Sequence, residues 1–209
     1  RLNAERATQY DLGVQYSKYR QSGIARQMGA KVDAYYNQIH DKIVAIPKGN
    51  GQYRWQMMNL GYVEIVGVDV NADITLVPIR ELSLTIAATY TYQQARDLTD
   101  PNSEFYGGQI AYIPWHSCSA TGNLQWRNWS LNYSFIYVGG RYHNSANIIQ
   151  NYEQPWYTHD LSLGKLCQLK GWRLHTAVEI NNLLNQQYDV ILNYPMPGIN
   201  GKLIVKVMI

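Results

Sequence analysis

Residues 81–93, ELSLTIAATYTYQ, decide the fold class because their side chains alternate in character along the chain. The even positions are apolar or aromatic: Leu82, Leu84, Ile86, Ala88, Tyr90 and Tyr92. The odd positions are small or polar. A β-strand places successive side chains on opposite faces, so this segment has one apolar and one polar face. It is longer than a typical soluble strand and matches the ~9–11 tilted residues that cross a bilayer.

The same alternation recurs along the chain and predicts about nine strands in total. The other segments are 10–16, 27–37, 57–72, 117–126, 129–137, 156–165, 172–181 and 202–209. The segment 57–72 is irregular, because Glu64 falls on its apolar side and Ile65 on its polar side. The sequence therefore predicts an all-β protein.

Two features favour an antiparallel transmembrane β-barrel over a soluble β-sandwich, which also alternates and remains the alternative. The polar faces carry charges in mid-strand, as a water-filled lumen permits: Asp11, Lys31, Asp33, Asp69, Arg173 and Glu179. Aromatic side chains recur at strand ends, as in the girdles of membrane barrels: Tyr10, Tyr16, Tyr36, Tyr90, Tyr92, Trp126, Trp129, Tyr137, Trp156 and Trp172.

Composition restricts the function classes. The net charge of +3 and the lack of a basic run indicate no nucleic-acid partner. No apolar run reaches the ~18 residues of a membrane-spanning helix, and the first residues do not resemble a secretory leader. Export would then require a leader that has been removed or a larger N-terminal part. Cys118 falls near one end of its strand and Cys167 in the short turn at the opposite rim, so we expect them to be unpaired.

Connections between the predicted strands alternate in length. Short ones lie near 17–23, 77–81, 127–128 and 168–171, and long ones at 40–54, 95–115, 139–155 and 183–200. Outer-membrane barrels have short periplasmic turns and long extracellular loops. On this assignment the chain begins outside and ends at the periplasmic rim with an odd number of strands. It is therefore interpreted as the C-terminal part of a larger barrel.

Catalytic and metal-binding motifs are missing from the sequence. The five histidines have no metal-ligand spacing, and no nucleophile elbow or phosphate-binding loop is present. His159 and Ser162, the nearest pair to a dyad, fall on opposite faces of one strand. We predict no enzyme activity, no metal site and no cofactor.

The chain resembles the TonB-dependent outer-membrane receptors. Its end contains Asn182-Leu183-Leu184-Asn185, then Tyr188, the turn Tyr194-Pro195-Met196-Pro197-Gly198 and a last amphipathic strand at 202–209, which is similar to the C-terminal signature of the family. Residues 2–16, 59–70 and 89–117 resemble three further family motifs in the same order. Ala4, Ile199 and Ile209 depart from the residues usual in the family.

This resemblance implies a place in a 22-stranded barrel of the Gram-negative outer membrane. It assigns all of 1–209 to the barrel and leaves the plug domain and the TonB box outside it. It also implies import of a small-molecule nutrient such as a ferric siderophore, haem or cobalamin, driven through TonB by way of the N-terminal part. The expected partners are outer-membrane lipid, the nutrient and TonB. A passive outer-membrane barrel or an adhesin is the alternative function, and a soluble β-sandwich binding module is the third.

Ligand contacts are expected from the extracellular loops, where aromatic and basic residues gather. Aromatic rings supply contact area, and arginine suits carboxylate, phosphate or catecholate oxygens. The candidates are Tyr53, Arg54, Trp55, Arg96, Tyr106, Trp115, Arg141, Tyr142 and His143.

Overall fold

The computed structural model describes residues 2–47 and 55–208, and most of them form β-strands. In chain order the strands are β1 (Arg6–Tyr19), β2 (Ala25–Pro47), β3 (Trp55–Ile79), β4 (Leu82–Asp97), β5 (His116–Trp126), β6 (Trp129–Val138), β7 (Arg141–Tyr142), β8 (Tyr152–Glu153), β9 (Trp156–Leu169), β10 (Trp172–Asn181), β11 (Asp189–Ile191), β12 (Tyr194–Pro195) and β13 (Asn200–Met208). A single 3₁₀ turn at Ile149–Asn151 precedes β8. The all-β prediction is confirmed.

Nine of the strands form one sheet in the order β1-β2-β3-β4-β5-β6-β9-β10-β13, and every pair of neighbours is antiparallel. Short turns join β1 to β2, β3 to β4, β5 to β6 and β9 to β10 at one rim, and the long connections lie at the other. The predicted alternation of loop lengths is confirmed for the connections that follow β3. These residues leave the barrel open, because β1 and β13 are the two edges of the sheet.

The first long connection is shorter than the sequence indicated. β2 continues to Pro47 and β3 begins at Trp55, so most of the predicted loop at 40–54 is strand. Residues 38–47, QIHDKIVAIP, do not alternate cleanly, which hid this extension. β2 and β3 have 23 and 25 residues, about twice what a bilayer requires, so they project beyond the membrane.

The strand register separates apolar from polar side chains across seven neighbouring strands. A rung is a row of residues paired in register across neighbouring strands. One rung is entirely aliphatic and runs through Leu76, Leu84, Leu124, Leu131, Leu163, Val178 and Leu203. The adjacent rung is entirely polar and runs through Thr75, Thr85, Asn123, Asn132, Ser162, Glu179 and Lys202. Because neighbouring rungs point to opposite faces, the sheet has one aliphatic and one polar surface.

The crowding around glycines identifies the polar surface as the concave one. A Cβ added at Gly164, on the polar face, would lie 2.6 Å from Ser130 Oγ. A Cβ added at Gly122, on the aliphatic face, would have nothing closer than Tyr133 Cβ at 4.0 Å. Side chains converge on the inside of a curved sheet and diverge on the outside. The polar surface therefore lines the lumen, and the aliphatic surface faces lipid, as the period of two predicted.

Hydrogen bonds link lumen side chains on adjacent strands into ladders. Asn123 Nδ2 donates to Asn132 Oδ1, and Thr91 Oγ1 donates to Asp69 Oδ1 over 2.6 Å. The Thr89 and Ser119 hydroxyls lie 2.8 Å apart. These bonds satisfy polar groups that could not face lipid, so the alternative of a dry sandwich core does not fit this surface.

Aromatic rings flank the lipid-facing band at both rims. Near the short turns, Trp126, Trp129 and Trp172 are 40–50% exposed, and Lys165 Nζ lies 4.6 Å above the Trp129 ring. Near the long loops, the Tyr90 hydroxyl lies 2.8 Å from His116 Nδ1. The predicted girdle needs one correction. Trp156 alternates with the outward-facing Tyr157, so it points into the lumen.

The extracellular part of the lumen wall carries a buried apolar cluster. Ile39, Val63, Ile65 and Ala95, from β2 to β4, pack with Ile110 of the following loop. This explains why Ile65 broke the alternation, because the inner face becomes apolar where that loop covers it. Glu64 alternates outward and lies 2.7 Å from Arg96 Nη2.

Replacing Val63 by alanine should loosen the loop at 98–115. Val63 is fully buried, and removing its two methyl groups should cost about 1.5–2.5 kcal/mol. Val66→Ala is the matched control, because Val66 is an exposed, outward-facing residue of the same strand. Limited proteolysis should cleave the 98–115 loop faster in Val63→Ala than in the control. Equal cleavage of the two variants would show that this cluster does not hold the loop.

Both cysteines are free, as predicted. Within 2–47 and 55–208, no helix is long and apolar enough to cross a membrane.

Candidate ligand-binding site at the extracellular rim

Three long loops are packed against one another above the lumen. The 98–115 loop runs beside β4, where Gln109 Oε1 accepts a hydrogen bond from Ala95 N at 2.9 Å. The loop at 139–155 forms the β7–β8 ribbon, and the loop at 182–199 forms the β11–β12 ribbon. Neither ribbon was predicted from the sequence.

Arg141 joins the second loop to the third. Its Nη2 donates to the carbonyl oxygens of Asp189 at 2.8 Å and Val190 at 3.0 Å. The residue is 3% exposed, and burial lowers the pKa of its guanidinium below the ordinary value, although nearby Glu153 opposes this. Nη1 is buried without a hydrogen-bond partner in the structure. The geometry assigns Arg141 to holding the loops together.

Tyr112 brings the first loop into this junction. Its backbone nitrogen donates to the Tyr142 carbonyl oxygen at 2.7 Å. Burial raises the pKa of its hydroxyl, a hydrogen bond with the Leu192 backbone opposes the increase, and Glu153 adds to it. Tyr112 has a φ of 62°, a left-handed conformation that non-glycine residues adopt at a cost. That cost is consistent with a residue held in place by contacts from the other two loops.

Aromatic rings surround this junction in two groups. Tyr142 makes edge contacts with Trp115 and with Tyr152, at centroid distances of 6.1 and 5.7 Å. Trp156 and Tyr188 stack at 4.4 Å, and Trp156 Nε1 is buried without a hydrogen-bond partner in the structure. Burial, with Asp160 adding to it, raises the pKa of the Tyr188 hydroxyl.

Charged side chains lie beside these rings. His143 Nδ1 is 3.0 Å from Glu153 Oε1, and both side chains are largely buried. Arg141 pairs with Glu153, and Tyr142 with Tyr152, across the β7–β8 ribbon. The site thus combines aromatic faces with a buried cation and a buried carboxylate, which can recognise an aromatic or polar organic ligand.

The structure brings together four of the predicted ligand residues: Trp115, Arg141, Tyr142 and His143. Arg96 lies elsewhere, because it alternates with the buried Ala95 and points outward to Glu64. Tyr106 is 47% exposed on the 98–115 loop. Tyr53 and Arg54 lie outside the described residues, and Trp55 is described only as the first residue of the β3 backbone.

Sequence reasoning missed five members of the site: Tyr112, Tyr152, Glu153, Trp156 and Tyr188. One signal could have indicated two of them. Arg141-Tyr142 and Tyr152-Glu153 are complementary in charge and matched in aromatic content, as expected for paired strands of a ribbon. Among the residues in 2–47 and 55–208, no group of three or more His, Cys, Asp or Glu could hold a metal ion.

Comparison with known proteins identifies the family. The model of the TonB dependent receptor-like β-barrel matches residues 1–183. The ferric-catecholate import receptor Fiu from K12 E. coli aligns with a TM-score of 0.68 at 14% identity, over 99% of this chain and 28% of Fiu. The copper transporter OprC aligns at 0.67 and 17% identity, over 99% of this chain and 31% of its own.

The ferric yersiniabactin uptake receptor FyuA from Yersinia pestis has a TM-score of 0.60 at 16% identity, with 99% of this chain and 30% of FyuA covered. No curated protein matches the chain. The chain spans about a third of the length of these solved neighbours, consistent with a C-terminal portion of the barrel. It belongs to the TonB-dependent receptor family, whose members are transporters, not enzymes, of the Gram-negative outer membrane.

Proposed function

We propose that this chain forms part of the wall and of the extracellular ligand-capture surface of a receptor that imports a nutrient across the outer membrane. The observation that carries the proposal is the aromatic junction of three loops placed directly above a polar lumen. Tyr142 contacts both Trp115 and Tyr152 at this position. A ligand held there would lie at the entrance to a lumen whose side chains are hydrogen-bonding groups.

The ligand class that fits best is a ferric siderophore. Two of the solved neighbours are described as receptors for ferric catecholate and for ferric yersiniabactin. Aromatic rings can stack on the aromatic groups of such chelates. Trp156 Nε1, a buried donor without a partner in the structure, could serve an acceptor oxygen of the ligand. Haem and cobalamin belong to the same range of nutrients and should be included in any test.

The partners of the whole receptor follow from this proposal. A plug domain and a TonB box would belong to a part of the receptor outside these residues, and TonB would act through them. The lumen wall suits a polar occupant, because Asp33 and Asp69 are paired on adjacent strands and face inward. Such a plug would close the lumen and release the ligand on contact with TonB.

The test is uptake by cells whose only receptor of this kind is the full-length receptor containing this chain. Radiolabelled ferric catecholate, ferric yersiniabactin, haem and cobalamin form the panel. We expect saturable uptake of one ferric chelate that stops when the proton-motive force is dissipated or TonB is deleted. Uptake that persists without either would favour a passive barrel. Surface binding to host cells without any uptake would favour an adhesin.

Trp115→Ala should weaken binding of the transported ligand to these cells about tenfold, because one aromatic contact contributes ~0.5–1.5 kcal/mol beyond its buried area. Trp172→Ala is the matched control, since Trp172 faces lipid at the opposite rim. Its binding constant should equal that of the unmodified receptor. Equal affinities for both variants would remove Trp115 from the binding surface while leaving the uptake result intact.

A further inference from the structure

Basic side chains are concentrated at the rim formed by the short turns, which is the periplasmic rim of an outer-membrane barrel. The segments 16–28, 76–84, 124–131 and 163–171 contain one acidic residue, Glu81. Their basic residues are Lys18, Arg20, Arg26, Arg80, Arg127, Lys165 and Lys170. The chain's net charge of +3 therefore conceals a strongly positive rim. A surface of this charge attracts an anionic partner.

An apolar groove lies on the lipid-facing surface beside this rim. It has a volume of about 290 Å³ and lies where β5, β6 and β9 run side by side. Three leucines of the aliphatic rung line it: Leu124, Leu131 and Leu163. Trp126 and Trp129, which pair with each other in the next outward rung toward the turns, line its periplasmic end. The groove is thus a hydrocarbon-lined space that extends from the aromatic girdle toward the membrane centre.

Two cations lie over the tryptophan rings at the periplasmic end of the groove. Lys165 is exposed and is the direct partner of Trp129 in the strand register, with Nζ 4.6 Å from the ring centroid. Arg127 follows Trp126 in the turn, and its Cζ lies 5.6 Å from that ring. Within the part of the chain that the structure describes, no carboxylate forms an ion pair with Lys165. Its ammonium group carries several N–H donors, so it can bind an anion while it rests on the ring.

Glu81 positions the second cation. Its Oε2 accepts a hydrogen bond from Arg127 Nε at 2.6 Å, and its carbonyl oxygen accepts one from the Arg127 backbone nitrogen at 3.0 Å. Both side chains are more than half exposed. The bond to Nε leaves the N–H groups of Nη1 and Nη2 for another acceptor. The guanidinium is therefore held beside the Trp126 ring with donors in reserve, and the carboxylate reduces the local positive charge.

The level of the two cations decides which anion they meet. Lys165 lies in the rung of the tryptophans, and Arg127 is one residue beyond Trp126, or ~3 Å along the chain. Aromatic girdles mark the membrane–water interface, and the polar layer of one leaflet is roughly 5–8 Å deep. Both cations therefore lie in the layer of the lipid phosphates. A periplasmic protein or the cell-wall polymer would have to enter that layer to reach them.

We propose that this groove and its two cations bind one anionic phospholipid of the periplasmic leaflet, of the phosphatidylglycerol type. The phosphate contacts the Lys165 ammonium and the Arg127 guanidinium, and one acyl chain lies in the groove against the leucines. A zwitterionic headgroup fits less well, because its own ammonium group would lie next to these cations. The lipid fastens β6, β9 and the β5–β6 turn together at the rim opposite the candidate ligand site. It is independent of the nutrient carried through the lumen.

The test uses the full-length receptor in detergent and dioleoyl phosphatidylglycerol as the probe, with bound lipid counted by native mass spectrometry. This lipid should bind about tenfold more tightly than dioleoyl phosphatidylethanolamine. Lys165→Gln combined with Arg127→Gln should weaken its binding about tenfold, because two charge-assisted contacts to the phosphate are lost. Arg20→Gln combined with Lys170→Gln is the matched control, since it removes the same charge from two other turns of the same rim. Binding to the control should be unchanged.

Two single variants test the groove and the acidic residue separately. Leu163→Trp fills the groove without changing the charge and should weaken phosphatidylglycerol binding about fivefold. Glu81→Gln keeps the hydrogen-bonding shape, removes the negative charge beside Arg127 and should strengthen binding about threefold. These opposite signs keep the proposal falsifiable even if the double variant of Lys165 and Arg127 does not fold.

An equal loss of binding in the control variant would show a diffuse basic rim and overturn the defined site. Phosphatidylethanolamine binding as tightly as phosphatidylglycerol would overturn the role of the anionic headgroup. Unchanged binding in Leu163→Trp would remove the acyl chain from the groove. Loss of co-sedimentation with purified cell wall in the double variant, with lipid binding unchanged, would assign the cations to the cell-wall polymer and overturn the proposal.

Discussion

Replacing Leu163 by arginine is expected to deplete the folded protein from the outer membrane, whereas Ser162→Arg should be tolerated. Leu163 lies in the aliphatic rung, is 48% exposed and faces lipid. A charged side chain there must enter hydrocarbon, which costs about 2–4 kcal/mol near the bilayer midplane. Ser162 is the preceding residue of the same strand, but it faces the lumen between Asn132 and Glu179. An arginine at that position remains in water.

The measurement is the amount of receptor that resists protease at the cell surface, together with its urea unfolding midpoint in liposomes. The two variants carry the same new side chain at adjacent positions of β9, so strand propensity and expression effects are shared. The difference in stability between the two variants therefore reports only which face of the sheet is exposed to water. Similar stability for Leu163→Arg and Ser162→Arg would contradict the assignment of lipid and lumen surfaces.

Within the membrane the faces of the sheet could be predicted from the sequence because each side chain meets one of two solvents. Leu84, Leu131 and Val178 alternate with polar neighbours, and the register places all of them in one rung. A period of two is then enough to assign each residue. The lumen-facing surface could be assigned equally well from the charged residues Lys31 or Glu179.

Beyond the membrane this reasoning loses its basis, since strands there have water or packed loops on both sides. Ile65 points inward against Ile110, and Glu64 points outward toward Arg96, so the polarity of the two faces is reversed. In the sequence these two residues interrupt the alternation of apolar and polar positions, although both are well packed. For the same reason the sequence places Arg96 in an extracellular loop, whereas it belongs to β4 and points outward.

The candidate ligand site was only partly predictable, because it depends on contacts between residues distant in sequence. Arg141 bonds to the carbonyl oxygens of residues 48 and 49 positions away. A basic residue in a loop predicts a ligand contact or a solvated side chain equally well, and no local pattern reveals burial. Aromatic enrichment pointed to Trp115 and Tyr142, whose rings the structure brings into contact.

Replacing Arg141 by alanine is expected to release the loops at 139–155 and 182–199 from each other. Hydrogen bonds from a charged group contribute ~1.5–3 kcal/mol each, and Arg141 makes two to the third loop. The carbonyl oxygens of Asp189 and Val190 would lose their shared donor in a partly buried position. Losing about 3 kcal/mol of local stability corresponds to amide exchange on the order of 100-fold faster in these loops.

Hydrogen–deuterium exchange of the full-length receptor measures this effect loop by loop. Arg141→Lys keeps the charge but replaces the planar fork by a single ammonium group, so it should recover only part of the protection. Arg127→Ala is the matched control at the opposite rim, where Arg127 forms an exposed ion pair with Glu81 at 2.6 Å. Exposed pairs of this kind contribute at most about 1 kcal/mol, so the extracellular loops should exchange as in the unmodified receptor.

Loop release in Arg141→Ala should also weaken nutrient binding, because Tyr142 and Tyr188 lie on the two loops that separate. Their rings would no longer be held in one arrangement before the ligand arrives, and the ligand would have to order them on binding. Affinity should therefore fall in parallel with the loss of protection, and Arg141→Lys should be intermediate in both measurements. Weakened binding with unchanged exchange would instead indicate that Arg141 contacts the ligand directly.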